Sequence, residues 1–202
     1  RGIWVMTLVK TRSRGINLAD TFAFTGTVSG AGGTLVKTGS LSSTTDAATY
    51  SVDSCFSSTY SNYFVTFRFA SATDGNQCHL KFRTSGTANT SSSYQSYIRV
   101  SAQSGSVGET TNSNGNSGVV SASMDDVDNK AAQGFMYFFA PFSTTLFTQV
   151  TTHFNYVTNS GTKNFCRGGI MFEDTTSFDG FQLNANTGNG SLCDIQVYGI
   201  AE

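Results

Sequence analysis

Charged residues and proline are both scarce in this chain of 202 residues. Asp, Glu, Lys and Arg together make up 12% of it, about half of the roughly 25% usual in soluble domains, and proline occurs once. The formal net charge is −1, so the broad basic surface that a dedicated nucleic-acid-binding protein needs is missing. We therefore expect no nucleic-acid partner.

Long hydrophobic runs are also missing. No apolar run approaches the ~20 residues that a membrane-spanning helix requires. The run at residues 3–9 (IWVMTLV) is shorter than the core of a typical signal peptide. We expect neither membrane insertion nor secretion.

Cysteine occurs four times, without any C-x-x-C pair, which excludes zinc-ribbon and thioredoxin-like sites. Cys78 and Cys193 fall on the apolar sides of predicted strands, where free cysteine packs as a small hydrophobic residue. A domain of this size does not need disulfides, and we predict buried free thiols at the four positions. The four are Cys55, Cys78, Cys166 and Cys193.

Aromatic residues are abundant, and they alternate with polar ones. The chain has 17 Phe and 8 Tyr, enough apolar surface to disfavour disorder. Residues 62–70 (NYFVTFRFA) and 77–83 (QCHLKFR) both show the two-residue period of a β-strand, broken only by Phe64. Asp74-Gly75 between them is a turn signal, so the pattern predicts an antiparallel hairpin with one face in a core.

Similar short strands recur to the end of the chain, and no helical period of 3.6 is sustained. We predict nine to twelve strands in an all-β fold, an antiparallel two-sheet sandwich of jelly-roll type. Residues 1–15 are predicted to form a basic N-terminal arm and residues 16–202 a single sandwich domain. The basic residues of the arm are Lys10, Arg12 and Arg14.

Residues 134–140 (GFMYFFA) are apolar on both faces of the predicted strand. Each strand of a two-layer sandwich has one face in the core and one toward solvent, so this strand needs a second cover. Either another part of the chain or a second subunit can supply it. We take Phe135, Met136 and Phe138 as candidate assembly residues in a homo-oligomer.

Candidate catalytic and metal-binding residues are few. Glu173, Asp174 and Asp179 include a possible carboxylate pair for glycoside hydrolysis, but acidic residues near turns are usually only solvated. A second acidic run, at residues 125–128, offers oxygen ligands for calcium without the glycine and distal glutamate of an EF-hand loop. Its members are Asp125, Asp126 and Asp128. We expect no enzyme activity and no cofactor.

Several segments resemble a module of tailed-bacteriophage virion proteins, which include tail-fibre tips and small capsid-attached proteins. They are DSCFSSTYSNYFVTFRF (residues 53–69), LKFRTSGTANTSSSY (80–94), YFFAPFSTT (137–145) and FDGFQLNANTGNGSLCDIQVYGI (178–200), with the lead-in KTRSRGINLADTFAFTGTV (10–28). The resemblance implies a non-catalytic β-sandwich on the outside of a particle, commonly trimeric. It implies a virion location after assembly in the host bacterial cytoplasm.

Two functions follow as expectations. The first is structural: a capsid-decoration or head-fibre protein that contacts other virion proteins through the basic arm and the apolar strand. The second is a tail receptor-binding module for host surface polysaccharide, with contacts from the polar loop at residues 105–118 and from two tyrosines. The candidate glycan contacts are Tyr94, Tyr97, Asn112 and Asn114. A depolymerase using Glu173 or Asp179 is a third hypothesis.

Overall fold

The structure is a computed structural model that describes residues 35–122, 124–126 and 128–201. These residues form thirteen strands and one 3₁₀ turn at Asp128–Lys130. The predicted basic arm (Lys10, Arg12 and Arg14) lies outside the described residues. The strands are β1 (Leu35–Ser43), β2 (Tyr50–Val52), β3 (Asn62–Ser71), β4 (Cys78–Thr84), β5 (Thr87–Ala88), β6 (Tyr94–Ala102), β7 (Val107–Gly115), β8 (Gly118–Val119), β9 (Ala132–Phe139), β10 (Thr148–Val157), β11 (Lys163–Phe172), β12 (Gly180–Ala185) and β13 (Gly190–Ile200).

The strands form two antiparallel sheets. The large sheet has the order β1-β13-β3-β9-β10-β11-β6-β7, and the small sheet has the order β2-β12-β4-β5, with β8 paired to β4. The all-β class and the sandwich arrangement are confirmed. The jelly-roll connectivity stays a prediction.

Two-residue alternation decides which side of each strand is buried. In β10 the side chains alternate strictly between buried and exposed from Thr148 to Tyr156, and β3 and β13 bury every second residue in the same way. Successive side chains of a strand point to opposite faces, so one face of the large sheet lines the core and the other faces outward. The burial expected for Cys193, Ile195 and Val197 is confirmed.

The predicted hairpin between β3 and β4 is wrong. β3 pairs with β13 and β9 in the large sheet, whereas β4 pairs with β12, β5 and β8 in the small sheet. The connection containing Gly75, which has a φ of +77°, therefore carries the chain from one sheet to the other. The buried Asn76 anchors this crossing, because its Nδ2 donates to Ser71 Oγ at 2.8 Å and to the Thr187 carbonyl at 3.0 Å. Alternation gives the face of a strand but not its neighbour.

Aromatic rings fill the space between the two sheets. Phe138 of the large sheet contacts Phe181 of the small sheet with ring centroids 5.0 Å apart, and Phe82 meets Phe172 edge-to-face at 5.9 Å. Phe178 stacks on Phe82 at 4.6 Å. All five of these side chains are fully buried.

The polar segment predicted as a long loop is mostly a strand. Val107–Gly115 pairs with β6 and forms one edge of the large sheet, so residues 105–118 are not a free loop. Most of its side chains are exposed, on both faces. A strand with no core face carries no apolar alternation, which is why the sequence pattern indicates a loop there.

The four cysteines are free and buried, as predicted. Burial raises the pKa of the Cys55 and Cys166 thiols to about 12, and it raises the pKa of Cys78 and Cys193 as well. Among the described residues, no helix is long and apolar enough to cross a bilayer.

Stability should fall at alkaline pH because of the buried thiols. An unfolded thiol ionises near its ordinary pKa of 9.0, whereas Cys55 in the folded chain keeps its proton to about pH 12. Burial of the protonated Cys55 thiol therefore leaves the free energy of unfolding unchanged below pH 9. Between pH 9 and pH 12 it lowers that free energy by about 1.4 kcal/mol per pH unit. Urea unfolding from pH 8 to pH 11 measures this slope.

Replacing Cys55→Ala should lower the overall stability and make the slope shallower by about 1.4 kcal/mol per pH unit. The exposed neighbour Ser58→Ala is the control and should leave the slope as it is. An unaltered slope in Cys55→Ala would contradict the raised pKa.

Candidate binding surface

The outer face of the large sheet carries a group of neighbouring aromatic side chains, which we call the aromatic tract. Tyr198, Phe64 and Tyr137 lie side by side on β13, β3 and β9, because their positions are in register. The Phe64 ring lies 5.1 Å from that of Tyr137 and 6.5 Å from that of Tyr198. The tract also includes Phe135 and Phe139, of which Phe139 is 40% exposed.

Two predicted assembly residues are core residues instead. Met136 and Phe138 have no exposed surface, since they lie on the inward side of β9 between the sheets. A contact with a second subunit is therefore not open to them, and their assignment to assembly is wrong. Phe135 lies on the outward side, in the tract.

The tract continues into the connection between β9 and β10. Leu146 is 60% exposed and Phe147 is 44% exposed, and both border a shallow cavity of about 490 Å³ together with Phe139. The sequence prediction did not include these two residues, which lie in the connection before β10. The apolar pair LF, flanked by polar residues, is the sequence signal they offer.

A trough lies beside the tract, over β10, β11 and β6. Its volume is about 440 Å³, and its lining includes Tyr97, Thr151 and Gln149. Gly169 lies between Tyr97 and Thr151 in register, on the outward side of β11. The absence of a side chain at Gly169 leaves the middle of the trough open.

The four predicted glycan contacts do not come together. Tyr94 is fully buried; its hydroxyl accepts from the Phe82 N–H at 2.9 Å and donates to the Asn89 carbonyl at 3.2 Å. It is a core residue because β6 turns position 94 inward, and its assignment as a glycan contact is wrong. Tyr97, three residues later, is 44% exposed.

The two asparagines have local roles on β7. Asn112 lines the trough, but its Nδ2 donates to the Ser117 carbonyl at 2.8 Å. Asn114 has a φ of +54°, and its Oδ1 accepts from Gln95 Nε2 at 2.9 Å. Of the predicted glycan residues, Tyr97 and Asn112 therefore border the trough.

Three basic side chains lie in register two positions along the strands from the trough, and we call them the basic row. His153 of β10 is opposite Arg167 of β11, which is opposite Arg99 of β6. Phe135 is opposite His153 on the other side, and the two rings stack at 5.2 Å with an interplanar angle of 11°. A cavity of about 660 Å³ lies over these residues.

The predicted acidic run is divided by the fold. Asp125 and Asp126 approach Asp74, a residue the sequence prediction did not include, whereas Asp128 accepts from Ser191 Oγ at 2.8 Å. Lys130 Nζ lies 2.6 Å from Asp125 Oδ2, and repulsion from Asp74 raises the pKa of Asp126. Lys130 offsets part of this negative charge, and we assign no metal to the cluster.

The two carboxylates of the depolymerase hypothesis have separate partners. Glu173 Oε2 accepts from Gln95 Nε2 at 3.1 Å, and Asp179 Oδ2 accepts from the Ser85 N–H at 2.9 Å. These contacts add no support to a catalytic pair.

Comparison with known proteins adds no relative: the chain matches no protein-family model, no curated protein and no solved structure. The outer face of the large sheet is therefore the main structural feature from which a function can be inferred.

Replacing Glu109→Ala should lower the pKa of Tyr97. The Tyr97 hydroxyl donates to Glu109 Oε1 at 2.6 Å, and this hydrogen bond is the main reason that the pKa of Tyr97 lies above its ordinary value of 10.0. Without it, the nearby Arg99 and Arg167 favour the phenolate. The ¹³Cζ chemical shift of Tyr97, followed against pH, reports the change.

Glu173→Ala is the control, because its carboxylate bonds Gln95 rather than Tyr97. If the titration of Tyr97 is the same in the Glu109→Ala variant and the parent protein, the hydrogen bond does not exist in solution.

Proposed function

We propose that this chain is a non-catalytic structural protein on the exterior of a bacteriophage virion, where it assembles with copies of itself through the aromatic tract. The observation that carries the proposal is the tract, a group of half-buried and exposed aromatic side chains that lie in register on the outer face of the large sheet. The resemblance of the sequence segments to phage virion proteins supplies the setting.

The composition of the tract suits a contact between proteins. Phe, Tyr and Trp are enriched in protein interfaces, and charged residues are depleted at their centres. The tract contains no charged side chain, its in-register neighbours Thr66 and Gln196 are uncharged, and Lys37, opposite Tyr198, lies at its edge. Leu146 and Phe147 extend the tract into a contiguous apolar surface, which differs from the isolated exposed apolar residues found on most proteins.

A second copy of the chain is the partner we infer. Most soluble oligomers have closed symmetry, and in a ring of three each copy contacts its neighbours through two different, complementary patches. Three copies, the number implied by the resemblance, would bury the tract and leave the trough side of the large sheet accessible. Other virion proteins would then contact the particle-facing part of the chain, which we assign to the basic arm (Lys10, Arg12 and Arg14).

Light scattering after size exclusion should give three times the chain mass of 21.5 kDa. We expect Tyr137→Ser and Leu146→Ser each to raise the dissociation constant about tenfold, since removing a central interface side chain typically costs 1–2 kcal/mol. Both side chains are exposed in the single chain, so the variants should fold normally.

Val107→Ser is the matched control. Val107 is 54% exposed but lies on β7, at the edge of the sheet away from the tract. The assembly proposal is contradicted if the parent protein stays monomeric at high concentration. It is also contradicted if all three substitutions change the dissociation constant equally.

Removing residues 1–14 should abolish binding to particles while leaving the oligomer intact. The arm holds Lys10, Arg12 and Arg14, and cationic segments are suited to acidic surfaces of a larger assembly. Co-sedimentation of the truncated and complete chains with particles that lack the protein measures occupancy. Replacing the three basic residues by Gln separates charge from length; full occupancy in both variants would contradict the proposed role.

A second candidate function, recognition of host surface polysaccharide, is favoured by the trough. Tyr97 offers an exposed ring, and Gln149 and Thr151 offer hydrogen-bonding groups around the open position at Gly169. An aromatic face beside convergent polar groups is a common arrangement for binding sugars. Tyr97 and Gly169 lie on β6 and β11, away from the tract, whereas Gln149 of β10 borders both the trough and the cavity beside Leu146 and Phe147. Assembly through the tract is therefore compatible with recognition on the β11 and β6 side of the trough.

A further inference from the structure

The basic row brings two like charges together on neighbouring strands. Arg167 and Arg99 are directly opposite each other, and side chains in such positions have Cβ atoms about 5 Å apart. His153 extends the row on the next strand, so the three side chains span about 10 Å. Like charges placed opposite each other reduce the stability of a sheet, so folding by itself does not favour this pair.

Neither arginine of the row has a partner among the described residues. The salt bridges in this part of the chain join Arg83 to Asp53 and Lys130 to Asp125. Glu109 is in register with Arg99, but its carboxylate accepts the Tyr97 hydroxyl instead. Both guanidinium groups are therefore available for an anion from outside the chain.

The surroundings of the row form a concave site. The cavity above it has Phe135 and Phe165 on its apolar sides, and Phe165 is 58% exposed. Arg99, Arg167 and His153 each lie two residues from a member of the trough, on the same side of the same strand. Positions two apart in a strand are separated by about 6.6 Å, so the cavity and the trough are adjacent on the outer face, and we call the two together the depression.

We propose that this depression binds an acidic saccharide, with the basic row holding a carboxylate or sulfate substituent and the trough holding the adjoining sugar. The proposal rests on the recognition function suggested above and specifies its ligand class. A planar guanidinium can engage an oxyanion through two parallel hydrogen bonds, and two such groups side by side define one anion position. Tyr97 and Thr151 then face the neutral part of the ligand.

The charge pattern favours a saccharide over a nucleic acid. A phosphate backbone needs cations repeated along its path, whereas here the cations meet at one point and the chain as a whole carries a net charge of −1. Phe135 stacks on His153, but the exposed Phe165 remains available to a base, so the charge pattern rather than the rings separates the two ligand classes. The trough adds hydroxyl and amide groups suited to sugar hydroxyls.

Isothermal titration calorimetry of the 202-residue chain at low ionic strength tests the proposal with four ligands, three tetrasaccharides and one tetranucleotide. They are tetragalacturonate, sulfated maltotetraose, neutral maltotetraose and the oligonucleotide dT4. We expect one or both acidic saccharides to bind more tightly than maltotetraose and dT4. The comparison of the carboxylated with the sulfated tetramer shows which substituent the row accepts.

Substitutions locate the binding site. Arg99→Gln and Arg167→Gln should each weaken acidic-saccharide binding about tenfold, because each removes a charge-assisted hydrogen-bonding group. Lys81→Gln removes one positive charge from the small sheet and should have no effect beyond general screening. Each arginine substitution relieves like-charge repulsion, so both variants should keep the thermal stability of the parent.

The outcomes separate the ligand class from the recognition function. Equal binding of neutral and acidic tetramers, weakened by Tyr97→Ala but not by Arg167→Gln, would overturn the acidic-saccharide proposal and keep polysaccharide recognition. Tighter binding of dT4 than of any saccharide would overturn the proposal in favour of a nucleic acid. No binding of any saccharide would overturn both the ligand class and polysaccharide recognition, while assembly is judged separately by light scattering.

Discussion

Contacts between aromatic rings across the two sheets hold this fold together. Phe138 and Phe181 meet from opposite sheets, and Phe82 contacts Phe172 and Phe178 in the same layer. Burying one such side chain stabilises a protein by about 1.5–3 kcal/mol, and ring-edge contacts add to this. With so few charges and a single proline, the strands that present these rings are rarely interrupted. The buried thiols pack among the same side chains without pairing.

The core uses one side of each central strand, so the function must come from the other side, the edges or the loops. On the outer face of the large sheet, β13, β3 and β9 carry the aromatic tract, while β10, β11 and β6 carry the trough and the basic row. Apolar rings suit burial against another protein surface, and unpaired guanidinium groups suit a solvated anion. The division by strand is what allows us to propose assembly and recognition on one face.

The sequence pattern predicted the strands well where one side faces the core. Alternation placed Cys193, Ile195 and Val197 inward, and the double apolar pattern of β9 identified an exposed aromatic side. The alternation does not predict which strands are neighbours. It indicates a hairpin of β3 with β4, which lie in different sheets, and a loop where the polar strand β7 lies. Among the proposed site residues, Tyr94 and Met136 are in the core, while Tyr97 and Phe135 are on the surface.

The sequence by itself determined the fold class and the inward side of most strands, because side-chain direction follows from position within a strand. Tertiary structure alone decided which strands are neighbours. The neighbouring strands in turn decide which side chains meet on the outer face of the large sheet. Arg99 and Arg167 are 68 positions apart, as the difference of their numbers shows, and only the pairing of β6 with β11 sets them opposite each other. The physical reason is that strand pairing is a long-range choice, made by packing and hydrogen bonding across the whole sheet rather than by local alternation.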